Sequence, residues 1–266
     1  MLEAHNIHVN YGARAVLKDI DLRCAQGELI SVIGPNGAGK STLLRTLNGG
    51  LVPSRGDVLL DEQPIRSLSR RAVARRIATV AQDADVRFPV TVLEFILGGR
   101  YAWSNASSWG WENAEDVKIA MTTVRETELE GFEARLMNQL SGGERQRAIL
   151  ARALATEAKM YLLDEPTANL DLAHQATILA LVRKRCDSRG DAAIVVTHDI
   201  NLAAEFSDRV LLIKKGQTVA FGQPGEVFTA ELLKEVFSVE VLVDAHPVSG
   251  APRVTPVHSM NSTGPY

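Results

Sequence analysis

Nine consecutive residues carry the densest chemistry in the chain: Gly34-Pro35-Asn36-Gly37-Ala38-Gly39-Lys40-Ser41-Thr42, a complete G-x-x-x-x-G-K-[ST] pattern. Gly34, Gly37 and Gly39 can take backbone angles denied to residues with a Cβ, so successive N–H groups can turn toward one anion. The stretch is a phosphate cradle. Lys40 is spaced to reach the β- and γ-phosphates of a nucleoside triphosphate, and the Ser41 hydroxyl to ligate Mg2+. Ser41 to Leu47 then starts a helix, whose N-terminal end and unpaired N–H groups also favour negative charge.

The neighbouring elements have to hold that loop. Leu29-Ile30-Ser31-Val32-Ile33 is the short apolar, β-branched run expected of a buried strand. A glycine-rich turn with an incidental lysine would not be framed by a strand and a helix. Upstream, Ile7-His8-Val9 and the run from Val16 to Leu22 alternate apolar and polar residues, as half-exposed antiparallel strands do. Tyr11-Gly12-Ala13-Arg14 turns between them. Tyr11 can stack on an adenine, a contact worth about 1–3 kcal/mol per base, or simply pack its own turn; spacing leaves both open.

A second chemical stretch is Leu140-Ser141-Gly142-Gly143-Glu144-Arg145-Gln146-Arg147, which opens a helix running through Leu154. Ser141 and Glu144 form a capping box, and a helix N-terminus again suits an anion. Capping accounts for those two residues. The adjacent Gly142 and Gly143 weaken a first helical turn and point to close approach of something else.

This stretch closely resembles the signature of ATP-binding-cassette (ABC) ATPases, and with the phosphate loop upstream the chain is identified as a member of that family from about Leu2 to Val239. The resemblance implies an α/β, P-loop NTPase fold of the ABC ATPase type, with a RecA-like core, an antiparallel β subdomain and an inserted α-helical subdomain. It implies ATP and Mg2+ as cofactors. Met160 to Glu165 resembles the family's second nucleotide motif, with Asp164 holding Mg2+ and Glu165 polarising the attacking water. Ala168-Asn169-Leu170-Asp171 is similar to the D-loop, although many members carry Ser where this chain has Asn169. Ala193 to Asp199 is similar to the switch strand, with His198 as the γ-phosphate histidine. Gln82 falls where the family has its metal- and γ-phosphate-sensing glutamine, and Tyr11 where it has the adenine-stacking aromatic. Ser141, Gly142, Gly143 and Asp171 are implied to face a nucleotide held by a second copy. Physically, phosphoryl transfer is mainly positioning and charge neutralisation, which asks for the loop donors, Lys40, a metal on Asp164 and Ser41, and a group such as Glu165 or His198 to orient water.

Composition narrows the class. At 45% hydrophobic and 23% charged, 266 residues suffice for one large domain or two modest ones, and a net charge of −3 gives no electrostatic case for nucleic acid. The Arg66, Arg70, Arg71, Arg75, Arg76 cluster reads as a solvated helix face. Two cysteines, Cys24 and Cys186, offer neither a disulfide framework nor a metal pair. The N-terminus lacks a signal-peptide pattern, and no stretch approaches the roughly 18 apolar residues of a membrane span. Any membrane process must therefore use another chain.

The resemblance gives an ATP-binding domain at about 1–240, and 241–266 reads as a C-terminal hairpin and flexible tail: Val239 to Val243 alternates, Ser249-Gly250 can turn, and Val254 to Val257 can pair back, with Pro256 confining that run to an edge. Within the former, the core and β subdomain occupy about 1–82 and 160–240, and the helical subdomain about 83–159. Trp103, Trp109 and Trp111 fall in the insertion, as contact surface or as core. Gly98-Gly99 is expected to break the helix that begins near Val92. Val92 to Tyr101, Thr197 to Ala203 and Gly222 to Phe228 resemble the ATPases of bacterial importers for haem, ferric siderophores and vitamin B12, with Phe88 to Val92 nearest the haem group. That implies a homodimer at the cytoplasmic face of the inner membrane. It would bind two transmembrane permease subunits, and through them a periplasmic substrate-binding protein, with coupling contacts at about 83–100. The soluble iron–sulfur cluster assembly ATPase is the alternative of another class.

Overall fold

The computed structural model describes residues 1–81, 89–103, 114–168 and 170–257. β1 (Leu2–Tyr11) and β2 (Arg14–Cys24) alternate buried and exposed residues and pair antiparallel across a turn at Gly12. A one-sided pattern of this kind suits a sheet with one face on the core. β3 (Leu29–Ile33) is buried throughout and runs into the phosphate loop, followed by α1 (Lys40–Leu47). β4 (Arg55–Leu60) and β5 (Gln63–Pro64) complete an antiparallel sheet of order β2-β1-β4-β5. α2 (Arg70–Ala74) leads to β6 (Ile77–Val80).

The helical insertion follows: α3 (Val92–Leu97), α4 (Ala114–Glu126) and α5 (Gly142–Ala155). β7 (Met160–Asp164), α6 (Leu172–Arg189) and β8 (Ala192–Val196) return to the core. After α7 (Ile200–Phe206) come β9 (Arg209–Lys214) and β10 (Gln217–Gly222), then α8 (Pro224–Val227) and α9 (Ala230–Phe237). β11 (Val241–Ala245) and β12 (Pro252–Pro256) form a terminal antiparallel hairpin. Among the described residues the main sheet has the order β10-β9-β3-β8-β7-β6, parallel from β9 to β6. β3 and β8 are buried throughout, and apolar but for Ser31, because both faces are covered: α1 and the antiparallel sheet on one side, α5 and α6 on the other. No helix among the described residues is long and apolar enough to cross a membrane.

α3 ends at Leu97, at the Gly98-Gly99 pair expected to break it, and a 3-10 turn, Gly98–Arg100, follows directly. A Cβ on Gly99 would strike the carbonyl oxygen of Arg152, so the glycine lets this turn approach the backbone of α5. The arginines of α2 are not merely solvated, since Arg71 and Arg75 each donate Nε–H to the carbonyl of Ala102 at 2.8 Å. Arg75 also stacks over Trp103, 4.8 Å from its centroid, and the indole N–H donates to the Thr156 carbonyl at 2.8 Å. Trp103 thus fastens the insertion to α5 and the core; Trp109 and Trp111 lie outside the described residues.

Gly216, in the turn between β9 and β10, ties the loop to the antiparallel sheet. Its N–H donates to the Ala38 carbonyl at 3.0 Å and its carbonyl accepts from Lys18 N–H at 2.8 Å. It has φ +79°, and a Cβ there would collide with the Val16 carbonyl. Gly216→Ala is expected to cost roughly 2–4 kcal/mol in urea denaturation, from strain and collision together. Gly190→Ala serves as the control: φ is +65° with nothing near the added carbon, and the expected loss is about 1 kcal/mol. Equal costs would show that the wedge carries no packing role.

Candidate functional site

In the parallel sheet β8 lies between β3 and β7, with Val32, Val196 and Asp164 at one level. The three loops leaving these strands therefore meet at one edge, the C-terminal edge at which open parallel sheets bind ligands. They carry Gly34 to Thr42, Asp164 with Glu165, and Thr197 with His198.

The loop shape is enforced by its surroundings. A Cβ on the buried Gly34 would strike the Ile213 carbonyl, and one on Gly39, at φ +104°, would lie 2.7 Å from Leu17 Cδ2. Pro35 is half-buried, Asn36 and Gly37 face solvent, Ala38 is buried and Thr42 is half-buried. Lys40 is buried and curls back over the loop, donating from Nζ to the carbonyls of Gly34 at 2.7 Å and Pro35 at 3.2 Å. Burial holds its ammonium below the ordinary 10.5, with Glu165 and Asp164 pulling the other way. Gly39 brings no side chain to cap α1, whereas Thr91, Ser141, Asp171, Asp199 and Thr229 each cap their own helix. The first N–H groups of α1 face the cradle.

Opposite stand two adjacent carboxylates. Asp164 Oδ1 is buried and accepts no hydrogen bond among the described residues. Burial raises the pKa of Asp164 above 3.8, while the Ser41 hydroxyl against the same carboxylate and the Lys40 charge favour its ionised form. An orphaned carboxylate oxygen beside a hydroxyl is a hard-oxygen donor set of the kind Mg2+ selects. Glu165 follows at φ +50°, a left-handed conformation costly for a residue with a Cβ, and its N–H is fixed by the Val196 carbonyl at 3.0 Å. Its Oε1 lies 2.5 Å from His198 Nε2. The two border a cavity of about 280 Å³ with Thr167, Gln175, Thr197 and Asp199. Thr167 and Gln175 carry no sequence motif; the Gln175 amide donates to the carbonyls of Leu170 and Thr167, bracing the stretch after Glu165.

The remaining expected site residues do not line this cavity. Tyr11 sits 46% exposed at the end of β1, opposite Arg14, with its ring open to a stacking partner. Ser141 and Gly142 are exposed at the start of α5, where the Ser141–Glu144 capping box is intact. Asp171 caps α6 and holds His174 Nδ1 at 2.7 Å, and a Cβ on Gly143 would lie 2.5 Å from the His174 ring. Ser141 to Gly143 and Asp171 thus gather at one surface through His174. Gln82 and Asn169 lie outside the described residues.

The model of the ABC transporter family matches residues 17–168. The hemin import ATP-binding protein HmuV of Thermobifida fusca is 41% identical across 97% of this chain and 89% of its own. The cobalamin import ATP-binding protein BtuD of Halobacterium salinarum is 39% identical across 98% of this chain and 65% of its own. Among solved structures, an inward-facing metal-chelate type ABC transporter superposes with a TM-score of 0.84 at 28% identity, covering 97% of both chains. The dimeric cassette MJ0796 superposes at 0.73 with 32% identity, over 84% of this chain and 99% of that one. A cradle, a carboxylate pair and a histidine on one sheet edge, joined to relatives of this identity along nearly the whole length, place the chain in the ABC transporter family as one of its ATP-hydrolysing, ATP-binding proteins.

Proposed function

We propose that this chain is the ATP-hydrolysing subunit of a bacterial importer of metal chelates, with haem as the cargo, working as a homodimer on the cytoplasmic face of the membrane beneath two permease subunits. The observation that carries the chemistry is the Glu165–His198 contact at 2.5 Å, next to Asp164 and facing the loop. Haem is favoured by the 41% identity to a hemin import protein and by the wording from Phe88 to Val92. The 39% identity to a cobalamin import protein supports a corrinoid as the second reading. Relatives named for import weigh against the cluster-assembly alternative.

Within that reading the amides of Gly34 to Thr42 hold the phosphates, and Lys40 exchanges the Gly34 and Pro35 carbonyls for phosphate oxygens. Ser41 and Asp164, with Gln82, hold Mg2+, which when bound neutralises phosphate charge and polarises the phosphoryl oxygens. The Glu165 carboxylate orients water and accepts its proton as the phosphorus–oxygen bond forms and the bond to the leaving diphosphate breaks. His198 holds Glu165 and reaches the γ-phosphate. Tyr11 stacks on the adenine. Ser141, Gly142, Gly143 and Asp171 close on the nucleotide of the second copy, so ATP binding favours the closed dimer and hydrolysis releases it. The permease seats against residues 83–100, of which 83–88 lie outside the described residues; Phe95, Gly98 and Gly99 border a cavity of about 610 Å³ with Ala81 and Tyr101. Permease-coupled transport in proteoliposomes, comparing haem, cobalamin and a ferric siderophore, tests the cargo; uptake of only the latter two would contradict haem.

Two outcomes test the chemistry. Glu165→Gln is expected to lower turnover by about 10²–10⁴ while ATP affinity stays within a few-fold, since a general base is removed and the cradle is untouched; near-normal hydrolysis would refute the role. The second concerns pH. Asp164 must lose its proton to hold a cation, and burial keeps that proton on at a pH above the ordinary 3.8. The folded, cation-free protein favours the neutral form, so ionising Asp164 as the pH rises costs stability, which a bound cation offsets. The acid limb of ATPase activity should therefore move to lower pH as Mg2+ is raised, and a limb indifferent to Mg2+ would contradict the assignment.

A further inference from the structure

The terminal hairpin has only two strands, so alternate residues of β12 present N–H and C=O groups that β11 cannot reach. At Val254 both go to one side chain. Its N–H donates to Asn201 Oδ1 at 2.8 Å, and its carbonyl accepts from Asn201 Nδ2 at 3.2 Å. An aspartate would lose the second bond and set a charge against a carbonyl oxygen. A second tether lies one helical turn away on the same face of α7, where the Ser249 hydroxyl donates to the Glu205 carboxylate at 2.6 Å. Between the two tethers the hairpin packs on the helix, and the buried Val254 joins a cluster with Ala203, Ala204 and Ile33, the residue before Gly34.

α7 needs such a strap. It is seven residues long, too short to hold itself, and two of its buried residues are alanines, which resist rotation weakly because they bury little area. It also begins beside the chemistry: Asp199 caps it, His198 precedes the cap, and Asn201 sits in its first turn, on no contact with the cleft.

We propose that Asn201 is a positioning residue for phosphoryl transfer: by pairing with the Val254 backbone it makes the C-terminal hairpin a strap that fixes the first turn of α7, and with it the direction from which His198 meets Glu165. This rests on the reading of His198 given above. It assigns a catalytic consequence to a hairpin some fifty residues beyond the switch.

The test compares Asn201→Ala, His198→Ala and the double variant in the full chain, following kcat, ATP affinity and hydrogen exchange of the Val254 amide. Asn201→Ala should deprotect the Val254 amide and lower kcat about tenfold with ATP affinity within about twofold, because small misplacements cost rate rather than binding. The double variant should be no slower than His198→Ala alone, the non-additivity expected of residues acting through one group. A deprotected amide with kcat within twofold of the unmodified chain would overturn the proposal, as would full additivity. Normal turnover in His198→Ala would instead refute the reading beneath it. Ser249→Ala, on an exposed turn, repeats the test should Asn201→Ala fold poorly: a smaller fall in kcat with partial deprotection supports the strap, and unchanged kcat with the turn released overturns it.

Discussion

The site depends on charges that the protein alone leaves unresolved. Asp164 has a buried oxygen with no partner among the described residues, and Lys40 is buried with its ammonium turned onto carbonyls of its own loop. Burial works against the charge of each. In the proposed reading a triphosphate and a divalent cation would satisfy both at once: the anion would take Lys40 and the cradle amides, and the cation Asp164 and Ser41. Binding energy is thereby concentrated where phosphorus–oxygen chemistry occurs. The left-handed backbone of Glu165 belongs to the same bargain, holding a carboxylate at a fixed angle beside His198.

Such an arrangement survives only if the strand ends are held rigidly, and distant parts of the chain do that work. Gly216 joins the loop to β2, Gln175 braces the stretch after Glu165, and the C-terminal hairpin grips α7. The helical insertion is fastened differently, through Trp103, Arg71 and Arg75 and the close contact at Gly99. The apolar face of α5, through Ile149, Leu150, Ala153 and Leu154, packs against the sheet and α6, and Glu126 of α4 pairs with Arg185 and Arg189 of α6.

How much of this was legible in the sequence follows from the range of each constraint. Gly34 to Thr42 and Ser141 to Gly143 announce themselves because glycine spacing and capping are local demands, satisfied within a few residues. The strand–loop–helix frame, the alternation of β1 and β2 and the terminal hairpin were readable for the same reason, the hairpin displaced by about two residues. Gly99 reads only as a helix breaker until the Arg152 backbone is seen beside it, and Arg71 and Arg75 read as solvated because their acceptor at Ala102 is far along the chain. Nothing local in the sequence marks the bracing roles of Asn201, Thr167 and Gln175. Their partners are fixed only by the fold.

Ser141 to Gly143 and Asp171 gather through His174, with Ser141, Gly142 and Asp171 exposed. In the proposed homodimer they face the phosphate cradle of the second copy. Mixing two defective chains tests this directly: Lys40→Ala, which disables the cradle, and Gly142→Asp, which the open space at Gly142 accommodates without disturbing the fold. Each variant alone should be inactive, whereas the mixture should regain turnover, since mixed dimers bring an intact cradle to an intact signature stretch. A mixture as inactive as its parts, or full activity in Gly142→Asp alone, would contradict the account.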